Sequence, residues 1–323
     1  MDTRDGISMT KAFRYFLYFL IGLVIGACST NNVRGDAFSV ELNNDTLTIP
    51  RKDSEYTHGT EFTYMRDTPF LIFSEYGFQL QQNMYGPKLI KTDELQNGEH
   101  PYCGYLSFNL IGDQWFELSW CSLSIQHKLG LGCVGPHSYA KESQRIIHSW
   151  LGCKDPKGWD RWQIRDEPIV QYESWVNFNI ELLETGHFKI FGIPRAGVDI
   201  GGFKDMLAAG LDLKLGLDPS ESVGHGVILS APMGKKAALS YSAYFLVGLE
   251  GRCVLHDTSI DGGFFRDSPY TNESETWVGE AHFGAGVKIK RLELEYITIK
   301  RTNEFKTEVR RPSYGKLLLR WGF

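Results

Sequence analysis

The segment YGKLLLRWGF (Tyr314–Phe323) constrains the fold more than any other stretch of the chain. Leu317, Leu319, Trp321 and Phe323 fall on one side of an extended backbone, with Lys316, Leu318, Arg320 and Gly322 on the other. Successive side chains of a strand point to opposite faces. The segment therefore reads as a strand with one apolar face and an aromatic end, which suits the closing strand of an outer-membrane barrel. Such a wall is apolar towards lipid and polar towards its lumen.

The same alternation recurs upstream. Leu239, Tyr241, Ala243, Phe245, Val247 and Leu249 share one face, as do Trp277, Gly279, Ala281, Phe283, Ala285 and Val287. Leu292, Leu294 and Tyr296 alternate with Arg291, Glu293 and Glu295. WFELSW aligns Phe116, Leu118 and Trp120 and reads as part of a strand of its own. Strand starts are expected near residues 38, 55, 70, 102, 114, 163, 187, 204, 237, 276, 290 and 310. In hydrocarbon an open edge would leave backbone groups unpaired, so the sheet must close. The expected fold is all-β: an antiparallel transmembrane β-barrel of about twelve strands, with a short helix in an extracellular loop. MRDTP, IGDQ and LETGH are expected as its short periplasmic turns. The long connection DPSESVGHGVILSAPMGKK falls on that same side, against the usual pattern.

Lys11 and Arg14 precede the apolar run YFLYFLIGLVIGA, which ends at Cys28. A basic start, a short apolar core and small residues before a cut site describe an export signal. The run is short of the roughly 20 apolar residues that a spanning helix needs. IGAC fits a lipobox that would make Cys28 the lipidated residue; ordinary cleavage near Ala27 is the other reading. The layout is an export signal over 1–28, a linker over 29–36 and the barrel over 37–323. A formal net charge of −5 and the lack of a dense basic run argue against a nucleic-acid partner. Cys103, Cys121, Cys133, Cys153 and Cys253 show no metal-site spacing and read as wall or loop residues.

One stretch breaks the strand pattern. GPHSYAKESQRIIHSWLG (Gly135–Gly152) reads as an amphipathic helix, with Ser138 as N-cap and Gly152 as its stop. Gln144 and His148, four residues apart, share a face. Ile146 and Trp150 lie opposite and are expected to pack. Counting strands from the periplasm puts this helix at the outer rim, together with the first hairpin. Asn44 and Asp45 at the end of strand one, and Thr57 at the start of strand two, can then approach it. A carboxylate, an amide and a hydroxyl together suit a hard cation such as Ca²⁺. A neutral histidine can take a proton from water. With no GxSxG elbow, activated water is favoured over a serine nucleophile. The blander readings are turn chemistry for Asn44 and Asp45, a surface role for His148, and a polar strand position for His58.

Several motifs, taken in order, resemble the outer-membrane lipid A 3′-O-deacylase family. They are NND (Asn43–Asp45), DSEYTHGTEF, QNMYGP, HPYCGYL, the helix segment, PKGWDRWQIRDEP and GLEGRCVLHDTSIDGGFFRDS. The resemblance implies a twelve-stranded barrel that removes acyl chains from the 3′ position of lipid A, with lipopolysaccharide as substrate. It implies His148 as the base that activates water, with Gln144 and Thr57 beside it, and Asn44 and Asp45 at a Ca²⁺ site. A family lysine would be Lys88 or Lys91. Three positions depart from the family pattern: Asn43 for glutamate, His58 for asparagine and Cys103 for alanine. None is a residue assigned to chemistry. The expected protein is a monomeric outer-membrane esterase; an outer-membrane phospholipase or a non-catalytic barrel of the same fold are the alternatives.

Overall fold

The computed structural model describes residues 36–48, 56–88, 90–152, 154–219, 241–309 and 311–323. The segment expected as an export signal with Cys28, most of the expected linker, Cys153 and most of the long connection after Leu217 lie outside the described residues.

Twelve strands follow one another: β1 (Ala37–Asn44), β2 (Tyr56–Arg66), β3 (Glu75–Tyr85), β4 (Cys103–Glu117), β5 (Ser122–Val134) and β6 (Glu167–Thr185). After them come β7 (Phe188–Gly201), β8 (Lys204–Leu217), β9 (Tyr241–Asp257), β10 (Trp277–Ile289), β11 (Leu292–Arg301) and β12 (Ser313–Gly322). Each pairs antiparallel with its neighbours, and β1 closes on β12 with Val40 opposite Leu319. The sheet therefore has no free edge, as hydrocarbon requires. No helix among the described residues is long and apolar enough to cross a membrane, so the crossing is made by strands.

The period-two pattern sorts the wall. Tyr241, Ala243, Phe245, Val247 and Leu249 all point outward and are exposed, as hydrocarbon-facing residues must be. Lys316, Leu318 and Arg320 point inward, while Trp321 and Phe323 point out. Paired charges line the lumen. Arg195 contacts Glu250 at 2.7 Å and Asp212 at 3.4 Å, and Arg252 links Glu250 (2.6 Å) to Glu280 (2.8 Å). Mutual pairing offsets the desolvation that each isolated ion would suffer. The interior is polar and keeps a cavity of about 210 Å³, lined among others by Glu61, Lys128, Glu173 and Arg252.

One turn is corrected. IGDQ (Ile111–Gln114) is not a periplasmic turn; it lies inside β4, and the chain reverses only after Glu117. WFELSW is accordingly split between the end of β4 and that reversal. Asp113 is fully buried, and Gln126 Nε2 donates to it at 3.4 Å, so its carboxylate belongs to the lumen. Cys103, Cys121, Cys133 and Cys253 are free thiols in wall or turn positions.

The outer mouth is covered by loops tied to one another. Glu167 accepts the backbone N–H groups of Phe264, Phe265 and Arg266 at 2.9, 2.8 and 2.6 Å. Tyr270 Oη accepts from Gly98 N at 2.9 Å, and Asn272 Nδ2 donates to Glu99 O at 2.7 Å. These bonds join the β9–β10 connection to the one between β3 and β4 and to the start of β6.

Candidate active site

The β5–β6 connection carries a 3-10 turn, Pro136–Ser138, then α1 (Ala140–Leu151) and α2 (Trp159–Trp162). Gly152 caps α1 in the left-handed region (φ 70°), where glycine carries no Cβ penalty. At the other end the cap differs from the expected Ser138. Tyr139 holds that position at φ 56°, and Ser138 instead bonds Gly135 O at 2.6 Å within the preceding turn.

Gly104 of β4 seats the helix. A Cβ there would lie 2.0 Å from Ser138 Oγ and 2.4 Å from Ala140 Cβ, so α1 starts directly against bare backbone. Gln82 Nε2 of β3 donates to Ser138 O at 2.6 Å and fixes the same end. Ala140 and Ile147 then pack with Met84, Tyr102 and Trp159.

The helix is turned opposite to expectation. Gln144 faces inward and is 3% exposed, whereas Ile146 and Trp150 are 52% and 74% exposed. The reason is a buried donor: Trp159 Nε1 donates to Gln144 Oε1 at 2.7 Å. Burying that indole requires an acceptor, and an outward apolar edge suits a helix lying beside lipid. The bond also fixes the amide of Gln144, leaving its NH₂ as the donating end. His148, half-buried one turn on, bonds Lys154 O through Nδ1 at 2.7 Å. A backbone carbonyl only accepts, so Nδ1 carries the proton and neutral His148 presents its lone pair at Nε2.

Beneath α1 a groove of about 340 Å³ runs against the outside of the barrel. Phe62 of β2, Leu80 of β3 and Leu106 of β4 line it below, and Ser143, Ile146 and Ile147 above. Thr60, on the outward face of β2, also lines it. Its hydroxyl lies 2.6 Å from His58 Nε2, and His58 Nδ1 lies 3.5 Å from Asn44 Nδ2. With Asn44 donating, the Nε2–H of neutral His58 donates to Thr60. The line Asn44–His58–Thr60 is polar, yet it shares the face that carries Phe62. Intramembrane polar residues are costly, and they mark function.

The first hairpin turns at the same mouth as the helix, as strand order requires, while the helix itself packs on β3 and β4. Asn44 caps the 3-10 turn Asp45–Leu47: its Oδ1 accepts from Thr46 N at 2.8 Å and from the Thr46 hydroxyl. Asp45 is 5% exposed, in a turn packed on β12 and β2. Thr57 is the extra residue of a bulge. Tyr56 pairs with Tyr85 and His58 with Met84, so two β2 residues oppose one step of β3. Bulges re-aim side chains beside active sites; the Thr57 side chain itself lies outside the described residues. Lys88 and Lys91 sit in the β3–β4 connection, which bonds the segment beyond α1 through Lys157 N to Ile90 O (2.8 Å) and Trp162 Nε1 to Asp93 O (2.8 Å).

The residues fit a Ca²⁺ ion only in part. Asp45 offers one carboxylate, but the Asn44 oxygen is engaged as a cap, and Ca²⁺ takes about six to eight oxygens. Among the described residues no group of three His, Cys, Asp or Glu side chains is placed to hold a metal. A cation here would rest on Asp45 and draw its remaining ligands from carbonyls, water and substrate. Asn44 could join only by leaving its cap.

In the sequence His58 reads only as a polar strand position, and Thr60 and Trp159 receive no assignment. A signal for the first two was available, because the outward phase set by Phe62 places His58 and Thr60 on the lipid side. Trp159 carried no such signal, since only the tertiary fold brings it to Gln144.

Comparison with known proteins agrees with the fold. LpxR from Salmonella typhimurium superposes with a TM-score of 0.77 at 19% identity, over 89% of this chain and 100% of that one. The β domain of the Bordetella autotransporter BrkA (TM-score 0.48, 9% identity, 90% and 100% covered) is a more distant likeness. So is the translocator domain of NalP from Neisseria meningitidis (0.40, 9%, 99% and 100%). A search of curated proteins finds no match. The family model described as outer membrane protein LpxR matches residues 15–323. The chain is a twelve-stranded outer-membrane β-barrel and belongs to the LpxR family.

Proposed function

We propose that this barrel is an esterase that removes 3′-linked acyl chains from lipid A, working from the outer leaflet. The observation that carries this reading is the groove between α1 and the lipid-facing wall. It is apolar along Phe62, Leu80, Leu106, Ile146 and Ile147, yet bordered by Thr60, Ser143 and the His58–Asn44 line. An acyl chain could lie in the apolar part while its ester meets the polar part.

In this reading His148 Nε2 accepts a proton from water as the water oxygen attacks the ester carbonyl. The tetrahedral adduct then expels the sugar 3′ oxygen, which takes the proton from the imidazolium, giving a free fatty acid and a 3′-hydroxyl. Lys154 O holds the tautomer that this role needs. Gln144, anchored by Trp159, directs its NH₂ towards water or substrate, and Thr57 completes the polar shell. Ca²⁺ at Asp45, with Asn44, would polarise the carbonyl and stabilise the oxyanion. The substrate is lipopolysaccharide, and the barrel acts as a monomer.

The test is the lipid A mass spectrum of cells with and without the gene, and of cells carrying His148→Ala. The expected result is loss of the 3′ acyl mass only with the wild-type chain, while the variant barrel still migrates as a folded, heat-modifiable species. Acyl loss from phospholipids instead would make the chain a phospholipase. Undiminished lipid A turnover by His148→Ala would remove that histidine from the mechanism.

A further inference from the structure

A second depression lies on the other side of the barrel. In a ring of twelve strands β9 stands six places from β3, so the outward wall around β9 faces away from the groove under α1. There a cavity of about 940 Å³ opens on the lipid-facing surface of β8 to β11. Its floor is a row of small residues across neighbouring strands: Ala209 opposite Gly251, and Gly251 opposite Gly279. Thr302 continues the row, with its N–H donating to Gly279 O at 2.8 Å and its hydroxyl accepting from Gly279 N at 2.9 Å. A Cβ at Gly251 would meet nothing within 4 Å, so this part of the wall is empty space. Leu211 and Leu249 line the trench on its inner side, and exposed Trp277 stands two residues outward of Gly279 on β10.

Glu250, Glu280 and Arg301 along this trench belong to the paired charges of the lumen, which leaves two cations on its outer side, Lys300 and Arg311. Both are exposed. The Lys300 ammonium lies 6.0 Å from the ring of Phe283, itself an outward residue, so its charge rests on the lipid side of the wall. A lipid-facing lysine is destabilising, the more so the closer it lies to the bilayer midplane. An anionic group at the same place would remove that cost. An acyl-sized trench ending in two cations, at the outer ends of its strands, matches a phosphorylated amphiphile.

We infer that this trench binds one phosphorylated glycolipid of the outer leaflet, as a resident lipid separate from any lipid under α1. Its acyl chains lie over Ala209, Gly251 and Gly279 between Leu249 and Trp277, and its phosphate is held by Lys300 and Arg311. The inference does not rest on the proposed hydrolysis, because its test uses the full chain carrying His148→Ala.

A photo-crosslinking benzoylphenylalanine replaces Gly251 in that chain, and for comparison Val170, which is 59% exposed on the outward face of β6. The folded barrel is reconstituted with bisphosphorylated lipid A, or with the same lipid stripped of phosphate, and irradiated. The expected yield of lipid adduct at Gly251 is about tenfold that at Val170. It should fall roughly tenfold or more for Lys300→Gln with Arg311→Gln, since each basic residue contributes about 1 kcal/mol towards an anionic lipid. The charge-conserving pair Lys300→Arg with Arg311→Lys should keep the yield. Equal yields at the two positions would reduce the trench to annular lipid contact and overturn the inference. So would an adduct indifferent to the glutamine pair or to removal of the lipid phosphate, or one displaced by inorganic phosphate.

Discussion

Gly104 is the most direct test of how the candidate site is built. Replacing it by alanine would put a Cβ 2.0 Å from Ser138 Oγ and 2.4 Å from Ala140 Cβ. Carbon atoms at rest stand about 3.5–4.0 Å apart. The start of α1 must therefore move away from β4 by more than 1 Å. Neither neighbour can yield alone. Ser138 Oγ is bonded to Gly135 O at 2.6 Å, and Gly135 N to Gly104 O at 2.9 Å. Ala140 is fully buried at the head of a helix that carries Gln144 and His148 as a rigid rod. Displacement of a catalytic group by about 1 Å can cost a factor of about 100 in rate. Overpacking of this kind costs about 1–3 kcal/mol, borne by helix docking rather than by the β3–β4–β5 ladder. The expected outcome of Gly104→Ala is a fall in the initial rate of 3′-deacylation by one to two orders of magnitude, with the barrel intact. Purified protein, lipid A mass spectrometry and heat-modifiable migration measure both quantities. A folded variant whose rate stays within threefold of wild type would refute the idea that the contact of α1 with β4 sets the site.

Two further outcomes follow from single contacts. Trp159→Phe keeps the ring but removes the donor to Gln144 Oε1, leaving a buried acceptor unpaired at a cost of about 1–3 kcal/mol. It should lower kcat about tenfold with KM little changed in steady-state deacylation kinetics, and an unchanged kcat would detach Gln144 from the chemistry. In the β11–β12 loop, burial first, and then the nearby Glu304 carboxylate, push Glu308 from 4.5 up to about 8, although the N–H of Glu304 opposes the shift. The folded loop then holds a proton that the unfolded loop releases. Its contribution to stability is thus present below about 4.5 and is lost as pH rises to about 8. Amide exchange across residues 302–309, corrected for intrinsic rates, should accelerate through that window in the wild type and stay flat in Glu308→Gln.

The barrel was legible because a lipid-facing wall imposes a period of two that side-chain chemistry must obey. Strands starting at Ala37, Tyr56, Cys103, Phe188, Lys204 and Trp277 lie within one residue of their expected places. Turn chemistry misled at IGDQ. Gly112 and Asp113 look like a reversal, but a polar lumen accepts a buried aspartate in mid-strand. The helix was legible in position but not in orientation. Its apolar edge was taken as the packing edge, which holds for a helix on a soluble surface and reverses beside lipid. His58 was set aside as a strand residue. It is one, yet its phase puts it outside the barrel, where a polar residue needs a reason.

If the proposed reaction takes place under α1, the placement of that helix resolves a conflict in any hydrolysis of a membrane lipid. The acyl chain is stable only in hydrocarbon, while water and the developing charges are stable only outside it. A site in the lumen would force the whole lipid through the wall and its chains among ion pairs such as Arg195–Glu250. A site on the loops above the mouth would force the chains out of the bilayer. A helix laid along the outside of the wall avoids both costs. Its outward edge, Ile146 and Trp150, remains in contact with lipid. Ser143 on the helix, with Thr60 across the groove and His58 bonded to it, gives that reaction a polar border the width of one chain. Closing the sheet through β1 and β12 is what makes this arrangement stable, because a wall with no unpaired backbone can carry a few polar side chains on its lipid face without opening.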